Sequence, residues 1–161
     1  TYRKVNIMQI NPKTVLENKW LIPSPNSNPF RKDDEPDYGT KIAQNGIDCT
    51  LSEDLILEPH SHKNVEIAER FRVPDDVIAF PFPRSSYSRR GIFISSGLYD
   101  SGFGFNREEG ATGGVSFYNM SEETVVIPKG TRVLQFVYMT GEMYQPYNGH
   151  YGKTDNIESK L

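Results

Sequence analysis

From Ile47 onward the chain breaks into nine short runs rich in β-branched and aromatic residues, separated by proline, glycine and polar turns. No other feature limits its folding options as strongly. The runs are Ile47–Leu51, Leu55–Leu57, Val65–Ala68, Phe71–Val73, Val77–Phe82, Gly91–Ile94, Val115–Tyr118, Thr124–Ile127 and Arg132–Tyr138. Helical periodicity is absent across this region. A parallel α/β sheet would need crossover helices that the sequence does not supply, so the pattern predicts an all-β sandwich, barrel or jelly roll.

Ahead of the strands the sequence offers one short helix, Pro12 to about Asn18. Asn11 can cap it, Pro12 suits the first helical position, and Val15 and Leu16 form an apolar edge. From Pro23 to Gly39 the composition turns to proline, serine, asparagine and charge, which reads as an extended or mobile loop. Past Gly141 strand character is lost again. The tail to Leu161 is expected to be flexible unless something orders it, and a tail carrying an aromatic residue can close over a ligand. The reading is therefore one domain over 1–161: an N-terminal extension and loop (1–44), a β core (45–140) and a flexible tail (141–161).

Composition narrows the function classes. A net charge of −3 argues against nucleic-acid binding, which needs a lysine and arginine excess to neutralise phosphates. No apolar run is long enough to span a membrane, and the single cysteine, Cys49, cannot form an internal disulfide. The expectation is a soluble protein of the cytoplasm, or of the host cytoplasm if the source is viral.

Four places could carry chemistry. Pro83-Arg84-Ser85-Ser86, followed by Arg89 and Arg90, concentrates guanidinium forks and hydroxyls where a strand ends. That is a chemistry suited to phosphate, although an ordinary surface turn can look the same. Gly97-Leu98-Tyr99-Asp100-Ser101-Gly102-Phe103 sets an acid between glycines and beside aromatics, where Asp100 could activate a water and Phe103 could pack on a sugar. Asp48 and Gln135 are polar residues within apolar strands, so each needs a partner. Arginine is the natural one for Asp48; Gln135 could serve phosphate or simply a cross-strand hydrogen bond. His60 and His62, two apart in a polar turn without a third ligand, read as solvated rather than zinc-binding.

In order and spacing these pieces resemble the dUTPase/dCTP deaminase superfamily over roughly Asn45 to Tyr151. Gly46-Ile47-Asp48 resembles its first motif, Pro83 to Ser86 its second, Gly97 to Phe103 its third, Gly130 to Gln135 its fourth and Tyr147 to Gly152 its closing tail. The resemblance implies a distorted jelly-roll (β-clip) subunit and a homotrimer whose active sites are shared between subunits. It also implies Mg²⁺ carried mainly by the substrate phosphates, with Asp48 or Asp100 touching it through water. Asp100, Ser85 and Arg84 would be catalytic. Ser86, Arg89, Ser95, Ser96, Gly97, Tyr99, Phe103, Gln135 and Tyr151 would bind substrate, and Asp48 would support the Arg84 region.

Two activities compete. The N-terminal segment, the wording around Asp48 and Asp-x-Gly-Phe at Asp100 resemble the deaminase branch. Against that, a glutamate that shuttles protons at cytosine C4 is expected in a strand reading Leu-Glu-Phe-Tyr-Asn, and this chain has Val115-Ser116-Phe117-Tyr118-Asn119. Serine cannot act as that acid and base near neutral pH. The reading favours a dUTP diphosphatase yielding dUMP and pyrophosphate, with dCTP deaminase, alone or bifunctional, and a noncatalytic nucleotide sensor as alternatives. Glu108 and Glu109, in an apparent insertion from Phe105 to Gly113, are the residues through which deamination could still operate.

Overall fold

Asn11 begins the first element by accepting a hydrogen bond from the Lys13 N–H through its side chain, and Pro12 then fixes the backbone for α1 (Pro12–Glu17). The computed structural model describes residues 8–32, 38–153 and 155; residues 1–7, residues 33–37 of the proline-rich loop, and tail residues 154 and 156–161 lie outside it. After α1 come β1 (Leu21–Ile22), β2 (Lys41–Ile42), β3 (Ile47–Thr50), β4 (Leu55–Leu57), β5 (His62–Phe71) and β6 (Val77–Pro83). A four-residue helix, α2 (Ser85–Ser88), separates β6 from β7 (Ile92–Ser95), and β8 (Ala111–Asn119), β9 (Val125–Ile127) and β10 (Arg132–Thr140) complete the strands.

Every strand pairs antiparallel, in the orders β1-β5-β8-β7, β2-β3-β10-β6 and β4-β9. The sheets curl into a half-barrel, the distorted jelly-roll (β-clip) architecture expected from the strand pattern and the family resemblance. An aromatic cluster closes the space between the two larger sheets. Phe71 of β5 lies with its ring centroid 4.6 Å from Phe136 of β10, and Tyr99 packs against both at 4.9 and 5.2 Å. Burial leaves Phe71 and Phe136 with no exposed surface. α1 packs on β1 and β10, and the Tyr138 hydroxyl donates to the Trp20 carbonyl at 2.9 Å to hold that corner.

Several details differ from the sequence pattern, among them the short strands β1 and β2 and the helix α2, which it did not announce. Val65–Ala68 and Phe71, read as parts of separate runs, lie in one ten-residue strand, β5, whose register shifts between Glu66 and Arg70, while Arg72 and Val73 follow it. The segment Phe105 to Gly113 is not wholly an insertion, since Ala111 already starts β8.

Glu69 and Arg70 separate the two runs in sequence, and Glu69 is fully buried. Its carboxyl accepts hydrogen bonds from the Thr40 hydroxyl at 2.6 Å and from the Thr50 N–H and hydroxyl, tying β5 to β3 and to the segment entering β2. Burial nevertheless outweighs those donors and pushes its pKa from 4.5 to about 7. Between these values the folded chain keeps a proton that the unfolded chain releases, so stability falls as pH rises through this window and levels off above it. The gap, at about 1.4 kcal/mol per pH unit, amounts to roughly 3 kcal/mol. Urea unfolding from pH 4.5 to 8 should show that decline, and Glu69→Gln should flatten it; an unchanged slope in the variant would assign the pH dependence elsewhere.

Candidate functional site

Asp100 owes its position to its neighbours. Tyr99 exchanges two backbone hydrogen bonds with Ala79 of β6, both 3.1 Å, and its buried ring joins the core cluster. On the other side the Ser101 hydroxyl donates to the Val77 carbonyl at 2.7 Å. Held at both flanks by β6, the Asp100 backbone has little freedom, while its exposed side chain lines a cavity of about 380 Å³. Ser95, Ser96 and Gly97, running out of β7, line the same space, and so do Tyr99, Phe103 and Tyr151. Tyr99 serves as wall rather than reactive group. Its hydroxyl donates to the Gly114 carbonyl at 3.1 Å, and burial raises its pKa.

Phe103 is only 7% exposed, so what it offers a ligand is one edge of a ring otherwise packed on Tyr99 and Tyr147. Gly102 lies two residues after Asp100. Its φ of +92° favours glycine, and a Cβ there would lie 2.9 Å from the Tyr147 nitrogen, so a side chain would push away the tail.

Contacts order that tail as far as it is described. The Tyr147 N–H donates to the Ser101 carbonyl at 2.7 Å, and its ring meets Phe103 edge to face at 5.4 Å. The Tyr151 N–H in turn donates to the Tyr147 hydroxyl at 3.2 Å. Further along, Asp155 receives the Arg70 and Arg107 guanidiniums at 3.0 and 2.8 Å, which hold its carboxyl below the usual range, Arg107 contributing most. Asp155 is half exposed, so water and salt screen these pairs, and each contributes at most about 1 kcal/mol. They form a weak clasp over an aromatic hinge.

The second group of candidates assembles elsewhere. Asp48 and Gln135 are register partners on β3 and β10, and the Gln135 amide donates to the Asp48 carboxylate at 3.2 Å. Arg84, at the end of β6, brings its Nε to 3.5 Å from the other Asp48 oxygen. Its Nη1 donates to the Arg132 carbonyl at 3.1 Å. Ser85, Ser86 and Arg89 lie exposed on and just after α2. The structure thus builds a turn of hydroxyls and guanidinium with its orientation set from Asp48. None of these six residues lines the Asp100 cavity.

Some cavity residues had no sequence signal. Asn64 of β5 preceded the run read as a strand, and Thr112 lay inside the presumed insertion, yet both line the cavity beside Ser116. Glu108 and Glu109 do not line it; Glu109 pairs with Arg107 at 2.9 Å. His60 pairs with Glu122 at 2.8 Å, and His62 stacks on Tyr118 with centroids 5.1 Å apart. Among the described residues no group of three His, Cys, Asp or Glu side chains could hold a metal ion, and no helix is long and apolar enough to cross a membrane.

Comparison with known proteins fits this geometry. The dCTP deaminase-like family model matches residues 22–141. A dCTP deaminase of Pyrococcus horikoshii is 32% identical over 117 residues, 71% of each chain. One of Thermococcus gammatolerans is 32% identical over 107 residues, 65% of this chain; the match spans 64% of that relative's length. Among solved structures, the dCTP deaminase of Agrobacterium tumefaciens superposes with a TM-score of 0.58 at 15% identity, covering 84% of this chain and 48% of that one. The dUTPase of Streptococcus mutans gives 0.55 at 22%, covering 73% and 88%, so the fold is shared with both enzymes. With three quarters of its length inside the family model, the chain belongs to the dCTP deaminase-like family of the dUTPase/dCTP deaminase superfamily.

Proposed function

We propose that the cavity takes a pyrimidine deoxynucleoside triphosphate, and that the reaction its side chains support best is hydrolysis of dUTP to dUMP and pyrophosphate. The observation that carries this is the cavity lining, in which Asp100 is the one carboxylate among the described residues; by the family resemblance, Ser116 of that lining stands where a deaminase would need a proton-shuttling glutamate. A water held by Asp100 would attack the α-phosphorus and lose its proton to that carboxylate as the bond to the bridging oxygen of pyrophosphate breaks. Arg84, Ser85 and Gln135 would stabilise charge on the phosphate oxygens, with Ser86 and Arg89 at the same turn. Ser95, Ser96 and the backbone near Gly97 would meet the base, and Tyr151 would close over it.

Since the phosphate turn does not line the Asp100 cavity of its own chain, a complete site under this reading draws its phosphate residues from a neighbouring copy. The homotrimer implied by the family resemblance would supply one. Both Asp48 oxygens are engaged by Arg84 and Gln135, so its side chain fits an orienting role better than a metal site. The donor set suits an Mg²⁺ carried by the triphosphate and reached from Asp100 through water. When bound, that ion would polarise phosphate oxygens and fix their geometry.

Kinship favours the other reaction. The curated relatives named above are dCTP deaminases, and by sequence relationship deamination of dCTP is the better supported reading. Product analysis after incubation with dUTP and, separately, dCTP, each with Mg²⁺ or excess chelator, separates the two. Conversion of dUTP to dUMP and pyrophosphate with dCTP untouched is the result that the cavity lining predicts. Formation of dUTP or dUMP from dCTP would establish deamination and sink the argument from Ser116, while binding without turnover would identify a nucleotide sensor.

A further inference from the structure

Three neighbouring strands place polar side chains opposite one another on one wall of the cavity. Asn64 of β5 faces Ser116 of β8, and Ser116 faces Ser95 of β7. All three line the cavity. Asparagine is disfavoured in strands, and at this exposed position burial does not explain it. None of the phosphate chemistry above uses Asn64 either.

The Ser116 hydroxyl donates to the Asn64 side-chain oxygen. A carboxamide has an acceptor end and a donor end, so a hydrogen bond to the oxygen fixes which way the amide faces and keeps both N–H donors of the NH₂ available. Two N–H donors complement a carbonyl oxygen. They oppose an exocyclic amine, whose own N–H groups would point at them. Uracil and cytosine differ at this feature of C4: a carbonyl in one, an amine in the other.

We propose that Asn64, oriented by Ser116, is a specificity-determining residue that selects a 4-oxo over a 4-amino pyrimidine. This inference rests on the reading that the cavity takes a pyrimidine deoxynucleotide. It gives Ser116 a second part. A glutamate at 116 would be a proton shuttle at C4, whereas serine is short enough to leave the base edge to Asn64 and strong enough as a donor to fix which end of the amide is offered. Recognition through a side chain on β5 also adds a third strand to the base contacts expected from the segment between β7 and Asp100.

The size of the effect follows from what a mismatch leaves behind. A site built around donors rejects an analogue that cannot accept from them, because those donors lose water and gain nothing. The cavity is only partly enclosed, so a discrimination of about 10- to 100-fold is expected rather than the larger factors of closed sites.

Calorimetric titration of the full chain with the non-hydrolysable α,β-imido analogues of dUTP and dCTP tests this. The wild type should prefer the uracil analogue. Asn64→Asp keeps the shape but presents only acceptors, and should lower the preference by about 10- to 100-fold or invert it, with an unchanged melting temperature. Ser116→Ala releases the amide to turn over and should narrow the preference by a smaller factor. A wild type that prefers the cytosine analogue, or an affinity ratio unchanged in Asn64→Asp, would overturn the proposal while leaving the pyrimidine reading in place. Failure of both analogues to bind the wild type would sink the pyrimidine reading itself.

Discussion

Asp100→Asn is expected to lower turnover of dUTP by about a thousandfold or more while KM for dUTP and the melting temperature stay close to those of the wild type. The amide keeps the shape of the carboxylate and can still hold a water, but cannot take its proton. Such a split, with loss in kcat and little change in KM, marks a group that acts in the transition state. The position makes the experiment clean. Tyr99 and Ser101, on either side, carry the bonds to β6, and the Asp100 side chain is exposed, so the substitution removes no packing. Stopped-flow proton release gives kcat directly, and near-normal turnover would remove Asp100 from its role.

Arg84→Ala should cost about a hundredfold or more in kcat/KM, since under the proposed reading a guanidinium fork on phosphate is lost, and Asp48 is left buried beside an absent partner. The more informative result comes from mixing. If Asp100 and Arg84 of one site belong to different chains, Asp100→Asn and Arg84→Ala subunits refolded together in equal amounts will form some sites with both residues intact. Random assembly makes that about one quarter of all sites, so the mixture should regain about one quarter of wild-type activity although each parent is nearly inactive. A mixture no better than its parents would place both residues in a site within one chain and retire the shared-site reading.

Much of this fold is legible in the sequence because each strand signals itself locally. β4 runs from Leu55 to Leu57 in both readings, and Asn11-Pro12 announces α1. The errors occur where a long-range contact changes the meaning of a residue. Glu69 reads as a polar break, but threonines from two distant segments solvate it and β5 runs through. Gly113 reads as the end of an insertion, yet it lies within β8, where only glycine fits because a Cβ would sit 2.5 Å from the Tyr99 hydroxyl. The two-residue strands β1 and β2 are too short to carry a pattern at all.

The same division holds for the site. Arg84, Asp100 and Gln135 can be picked out one motif at a time, since the residue types that suit phosphate or water are visible without a structure. Which motifs meet depends on how the sheets curl. Ser95 through Tyr99 share a cavity with Asn64, from a strand some thirty residues earlier, while Arg84 through Ser86, closer in sequence, do not line it. Asn64 was invisible because its partner, Ser116, is about fifty residues away.

The tail, clasped by Arg70 and Arg107 of its own chain, has a genetic consequence. Under the proposed reading the lid and the water-activating acid would travel on one polypeptide, and the phosphate turn completing that site on another. Lesions should therefore sort into two complementation groups. A chain truncated before Tyr147 should be rescued by co-assembly with Arg84→Ala, as Asp100→Asn is, and should not be rescued by Asp100→Asn. Two defects in the same half of the site would leave every mixed assembly without a complete one, whatever the proportions of the mixture.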